Sequence, residues 1–137
     1  MEYWKTKYQL AKDLYFEIPH WPYDDIVTDL IEVKTYADTT ILVIKKYWCY
    51  DGPSGPAIDT DNFMEPSAAH DALYWLMRWK LIPIEYKTFA DNLMYELCLE
   101  NGMSKIRAKY CCWAVKRFAK KAANEAGKRI IYKTEKD

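Results

Sequence analysis

Tyr50-Asp-Gly-Pro-Ser-Gly-Pro-Ala-Ile-Asp-Thr-Asp-Asn-Phe-Met-Glu-Pro66 and the run after it, Ser67-Ala-Ala-His-Asp-Ala-Leu-Tyr-Trp-Leu-Met-Arg-Trp-Lys80, mark where the chain changes its period. The first stretch holds two of the four glycines and three of the six prolines and has no apolar rhythm, so it reads as an irregular loop. The second has helical spacing. Ser67, directly after Pro66, is placed to cap that helix, which should run to about Lys80, ahead of Ile82-Pro83.

Upstream, β-branched and aromatic residues alternate with polar ones, the period of a half-buried strand. The spacing predicts strands over Tyr3–Leu10, Leu14–Ile18, Ile26–Lys34 and Thr39–Trp48, the last two forming a hairpin about Ala37-Asp38. Pro19-His20-Trp21-Pro22 interrupts the series. In the fourth strand apolar residues occupy both alternating sets, Ile41 and Val43 against Leu42 and Ile44, so both of its faces are expected to be partly covered. Downstream, Phe89, Leu93 and Leu97 form one stripe of a second helix over about Glu85–Glu100, stopped by Asn101-Gly102. Ser104 can cap a third helix reaching about Asn124, with Gly127 after it. Ile106, Tyr110, Trp113 and Arg117 follow helical spacing there, and Lys116, Arg117, Lys120 and Lys121 crowd its C-terminal half, where cations suit the helix dipole. With no internal repeat and no low-complexity linker, residues 1–137 are expected to form one α+β domain. It divides into a strand-rich part, 1–49, an irregular loop, 50–66, and a helical part, 67–127. The architecture expected is antiparallel strands followed by three α-helices, the first two an antiparallel pair.

The chain of 137 residues is 50% hydrophobic, enough to supply a core at this length. Twenty Lys+Arg balance twenty Asp+Glu, and a binder that works by neutralising phosphates would carry a basic excess, so no nucleic acid is expected as a partner. No run approaches the roughly 18 consecutive apolar residues of a membrane span, so no transmembrane segment is expected. The opening Met1-Glu-Tyr-Trp-Lys5 has no apolar signal-peptide core. Cys49, Cys98, Cys111 and Cys112 show no CxxC spacing, and two histidines in the whole chain leave little to complete a zinc site; buried, unbridged packing thiols are the reading. Walker and dinucleotide-binding glycine patterns are absent, as is a G-x-S-x-G elbow. Six Trp and twelve Tyr form an aromatic excess; Trp75 and Trp79, four apart, suit either core packing or an interfacial surface.

The residues that can do chemistry lie between Tyr50 and Asp91. His70 and Tyr74 stand at i and i+4 and share a helix face, while Asp71 is rotated about 100° away. If the first two helices run antiparallel, Asp91 near the middle of the second can approach His70. That would orient an imidazole by one carboxylate beside a second carboxylate able to hold a cation, the skeleton of a water-activating hydrolytic site. The alternative is structural: Asp71 serves the helix dipole, Asp91 edges a buried stripe, and Gly52 and Gly55 are turn residues.

Taken together, Tyr50-Asp-Gly-Pro-Ser-Gly-Pro, Ser67-Ala-Ala-His-Asp-Ala-Leu-Tyr74 and Phe89-Ala-Asp91 resemble phospholipase A2. The likeness is to the disulfide-free phospholipase domain of parvovirus minor capsid proteins, since Ala68-Ala69 stands where secreted phospholipases carry Cys-Cys. Tyr50 to about Lys121 also resembles a family of small phage and prophage proteins of unassigned function that carry a His-Asp-x-Leu-Tyr helix. The resemblance implies that His70 takes a proton from the water attacking a phospholipid sn-2 ester, that Asp91 holds the imidazole tautomer, and that Tyr74 hydrogen-bonds to Asp91. It further implies a calcium cofactor held by Asp71 with the loop around Tyr50, Gly52 and Gly55. The function expected from it is a phage-type accessory or virion protein with a calcium-dependent, phospholipase-like site, in the host cytoplasm or virion. Its partners would be phospholipid or other particle proteins. The alternative from the same resemblance is a non-enzymatic assembly protein that keeps the helix pair.

Overall fold

The computed structural model describes residues 8–50 and 61–117. The expected strand before Tyr8, most of the expected loop, and the third helix beyond residue 117 lie outside the described residues. Within them the chain runs β1 (Tyr8–Gln9), β2 (Leu14–Ile18), β3 (Ile26–Val27), β4 (Ile31–Tyr36), β5 (Thr39–Ile44) and β6 (Cys49–Tyr50). The helices α1 (Asp61–Arg78), α2 (Lys87–Glu100) and α3 (105–117) follow. The class is α+β, antiparallel strands followed by three helices.

Four strands make one antiparallel sheet in the order β2-β5-β4-β3, and β1 pairs with β6 in a separate two-stranded ribbon. Alternation decides which face is buried: Leu14, Phe16 and Ile18 of β2, Ile31 and Val33 of β4, and Leu42 and Ile44 of β5 all point into the core. The outer face is polar on the flanking strands, where Glu32 pairs with Lys45 at 2.7 Å. On the central strand β5 it is half-buried, because Tyr15 and Glu32 lie opposite Val43, and Glu17 and Lys34 opposite Ile41. The partial cover expected for this strand has that cause.

Two strand boundaries differ from expectation. Ile26–Lys34 is not one strand but two, folded back so that Ile26 pairs with Val33 and Val27 with Glu32. Thr28 makes the reversal: its hydroxyl donates to the Ile31 carbonyl at 2.7 Å and accepts the Ile31 N–H at 3.0 Å. A threonine closing a turn with its side chain has no Gly or Pro to announce it. The fourth strand ends at Ile44 rather than Trp48, because Tyr47 adopts φ 82° and the Asp13 carboxylate accepts the Lys46 N–H at 2.6 Å. The Ala37-Asp38 hairpin forms as expected, with Ala37 at φ 56°.

The helical part begins six residues before Ser67, at Asp61, and Pro66 is buried inside α1 rather than preceding it. Ser67 is therefore not the cap; its hydroxyl donates back to the Met64 carbonyl at 2.8 Å. Phe63, Ser67, His70 and Tyr74 form an i, i+4, i+7, i+11 series, so the helical spacing passes through Pro66. α1 lies on the sheet through Ala68, Ala69, Ala72, Leu73 and Leu76, all fully buried, the three alanines permitting close approach. α2 packs against α1 in the antiparallel sense. Phe63 at the start of α1 shares a cluster with Met94 and Cys98, while His70, two turns on, meets Asp91. α3 closes that cluster with Ala108, Cys111, Cys112 and Val115, and starts where expected, the Ser104 hydroxyl accepting the Arg107 N–H at 3.2 Å.

α1 and α2 end in the same motif. Leu81 and Lys80 donate to the carbonyls of Leu76 and Met77, and Met103 and Gly102 donate to those of Cys98 and Leu99. The left-handed position is Gly102, φ 90°, in one and Lys80, φ 60°, in the other. Lys80→Gly should therefore stabilise the fold, by about 0.5–1 kcal/mol after the added freedom of the unfolded chain is subtracted. Gly102→Ala should destabilise it by about 1 kcal/mol through backbone strain alone, since a Cβ there meets no atom within 4 Å. Urea midpoints of the two variants, moving in opposite directions, check this.

No cysteine is bridged: Cys98, Cys111 and Cys112 are buried, but Cys49 is exposed, contrary to its reading as a packing residue. A thiol reagent should titrate one cysteine rapidly in the native protein and the other three only after unfolding. Slow reaction of all four, or fewer than four thiols in denaturant, would contradict the arrangement.

Candidate active site

His70 is the tenth residue of α1, on the side that faces α2, and is 1% exposed. One turn along the same face is Tyr74, its ring 4.2 Å from the imidazole centroid. Asp91 enters from α2 and receives both: its Oδ1 is 2.7 Å from His70 Nε2 and accepts the Tyr74 hydroxyl at 2.8 Å. The three residues named from spacing are thus brought to one point.

The contact fixes the imidazole chemistry. A carboxylate only accepts, so Nε2 carries the proton and the neutral ring keeps its lone pair on Nδ1. That nitrogen is buried and, among the described residues, has no hydrogen-bond partner. The nearest charge is the Asp71 carboxylate, with Oδ1 3.9 Å from Nδ1, too long for a hydrogen bond but close enough to act through space. Burial lowers the pKa of His70, and the carboxylates of Asp71 and Asp91 more than offset it, leaving the ring above its ordinary 6.5. The Tyr74 phenol is pushed far up by burial and by its bond to Asp91, so it remains a donor across the physiological range.

Asp71 is 26% exposed, and its charge is felt at Tyr50 of β6. Tyr50 is close enough for its phenol to be raised by burial first and then by the charges of Asp71 and Glu65. Its ring is buried, stacked on Trp48 with centroids 5.5 Å apart. Gly52 and Gly55 lie outside the described residues. Among the described residues no group of three or more His, Cys, Asp or Glu could by itself hold a metal ion. Asp71 is a single hard oxygen donor, whereas a calcium shell takes 6–8 oxygens, so the described residues alone do not make up such a site.

Three neighbours escape a reading by motif. Glu65, in the turns of α1 ahead of Ser67, is close enough for its charge to act on the Tyr50 phenol. Cys112 of α3 is close enough to the dyad for its thiol to be affected by His70 and Asp91; its pKa is lowered chiefly by a hydrogen bond with Cys98. The first turns of α1 supply Phe63, and its spacing to His70 is the signal that could have found them. His20 stands elsewhere, stacked on Phe89 at 4.3 Å, beside a groove of about 340 Å³ edged by Glu17, Glu96 and Glu100. By helical spacing that groove lies on the opposite side of α2 from Asp91. Trp75 packs partly into the core while Trp79 is exposed, and their rings are in tilted contact with centroids 5.8 Å apart.

Comparison with protein-family models, with curated proteins and with solved structures finds no match.

A packing histidine in a core position satisfies its polar atoms; this one finds no partner for Nδ1 among the described residues, an arrangement that costs about 1–3 kcal/mol. Because the His70 pKa is raised on folding, the protonated ring favours the native state. That contribution is complete below pH 6.5 and is lost as pH rises through the raised value. His70→Gln should remove this falling limb from a plot of unfolding free energy against pH, and Tyr74→Phe should keep it while lowering stability by about 1 kcal/mol. Chemical denaturation across the neutral range distinguishes the two.

Proposed function

We propose that the protein is a phospholipase A2-like ester hydrolase that uses His70 as its base and calcium as its cofactor, as part of a phage-type accessory or virion protein. The observation that carries the reading is the pair of hydrogen bonds on Asp91 Oδ1, from His70 Nε2 and Tyr74, which leave Nδ1 as the basic atom.

In this mechanism Nδ1 takes a proton from a water whose oxygen adds to the ester carbonyl carbon. The imidazolium formed is stabilised by Asp91 through Nε2–H, and Tyr74 keeps the carboxylate from rotating away. The same Nδ1 then returns its proton to the leaving alkoxide as the carbon–oxygen bond breaks, giving an alcohol and a carboxylic acid. Calcium, held by Asp71 with carbonyls from the Tyr50–Gly55 stretch, would supply the positive charge opposite the developing oxyanion. Nδ1 is enclosed, so turnover requires its surroundings to open to water and ester.

That same enclosure favours the second reading, a non-enzymatic assembly protein in which the triad fastens α1 to α2. Fatty acid release from mixed micelles, with and without chelator, separates the two. Under the hydrolase reading His70→Ala loses at least about a thousandfold in rate, Asp91→Asn on the order of a hundredfold or more, and Tyr74→Phe about tenfold or less. Asp71→Asn should weaken calcium binding by calorimetry, with partial rescue at higher calcium. No release by the pure protein at millimolar calcium (an order of magnitude for a weak site), together with no heat of calcium binding, rejects the enzyme. The same substitutions would then act through stability or particle incorporation.

A further inference from the structure

The charge of the chain is balanced overall but not locally. No acidic residue occurs between Glu100 and Glu125, and Lys105, Arg107, Lys109, Lys116 and Arg117 all fall on α3. The inner face of that helix is spent on Ala108, Cys111, Cys112 and Val115. Its outer face carries Ile106, 84% exposed, Tyr110, 44%, and Trp113, 51%. At 100° per residue these three and Arg117 fall within about 60° of one another, with Lys105, Lys109 and Lys116 along one flank. The aromatic rings are neighbours, centroids 6.3 Å apart, and the Arg117 guanidinium lies 5.6 Å from the Trp113 ring centre.

We propose that this outer face of α3 is a surface that binds anionic lipid bilayers. Trp and Tyr have an apolar body and a polar edge, which places them at the headgroup boundary, and a bare isoleucine beside them gains by entering the acyl region. The cations complement anionic headgroups, at roughly fivefold in affinity for each one near the surface. A phosphate backbone would leave Ile106 unused, and a symmetric pairing of two such faces would set like charges against each other. As a lipid-binding surface the proposal stands on α3 alone; as the means of bringing a hydrolase to its substrate it rests on the reading above.

The experiment is co-sedimentation of the full chain with vesicles of phosphatidylcholine alone or with phosphatidylserine added, over a range of salt. The wild type should bind the anionic vesicles, less so as salt rises, and leave the neutral ones in solution. The double variant K109E/R117E should lose on the order of tenfold or more in affinity, and Trp113→Ala severalfold, with thermal melting only slightly lowered, because all three side chains are exposed and lose only surface contacts. His70→Ala should bind as the wild type does, and K109E/R117E should act normally on a dispersed short-chain ester, so failure of the surface is distinguishable from failure of the hydrolase. Absence of binding to anionic vesicles, or equal binding by K109E/R117E, overturns the proposal. So does tighter binding to duplex DNA than to vesicles, or dimerisation abolished by Trp113→Ala.

Discussion

One carboxylate oxygen joins the two central helices. Asp91 Oδ1 accepts from both His70 and Tyr74, two residues one turn apart on α1, so α2 is held in angle as well as in distance. Asp91 is partly buried, 16% exposed, and its shared oxygen is satisfied by these two donors, so removing either takes away one charge-assisted hydrogen bond. The apolar contacts around it are adaptable. The three polar groups are not, and they set which residues of α1 face which residues of α2.

The rest of the molecule supplies the burial that gives this interaction its strength. The inner face of the sheet, with Phe16, Ile18, Leu42 and Ile44, seats α1 through its alanines, and α3 covers the far side with Cys111, Cys112 and Val115. In the resulting low-dielectric setting a hydrogen bond to a carboxylate is stronger, and an unpaired nitrogen such as His70 Nδ1 more costly, than in water. The triad thus has two aspects: it fastens the helix pair, and it holds a basic atom that the packing does not use. The second aspect is what the hydrolase proposal draws on.

Much of this is legible in the sequence. The i, i+4 spacing of His70 and Tyr74 places them on one face whatever the surroundings, and Asn101-Gly102 and Ser104 bound their helices by backbone chemistry that needs no tertiary information. The approach of Asp91 follows from one further assumption, that helices joined by a short connection run antiparallel. What escapes the sequence is decided by side chains acting on the backbone or by a residue tolerated against its average preference. Thr28 closes a turn without Gly or Pro, Tyr47 and Lys80 take positive φ, and Pro66 is kept inside a helix whose buried stripe continues on both sides of it. The orphaned Nδ1 is not a sequence property at all, since it depends on how closely α1 is enclosed.

Whether the His70 ring can act as a base depends on its tautomer, and nitrogen-15 NMR of the imidazole reads that tautomer. At a pH where the ring is neutral, the proton should sit on Nε2, toward Asp91, with Nδ1 showing the shift of an unprotonated, unbonded nitrogen. A proton on Nδ1, or rapid exchange between the two tautomers, would contradict it, because Asp91 would then not be holding the ring.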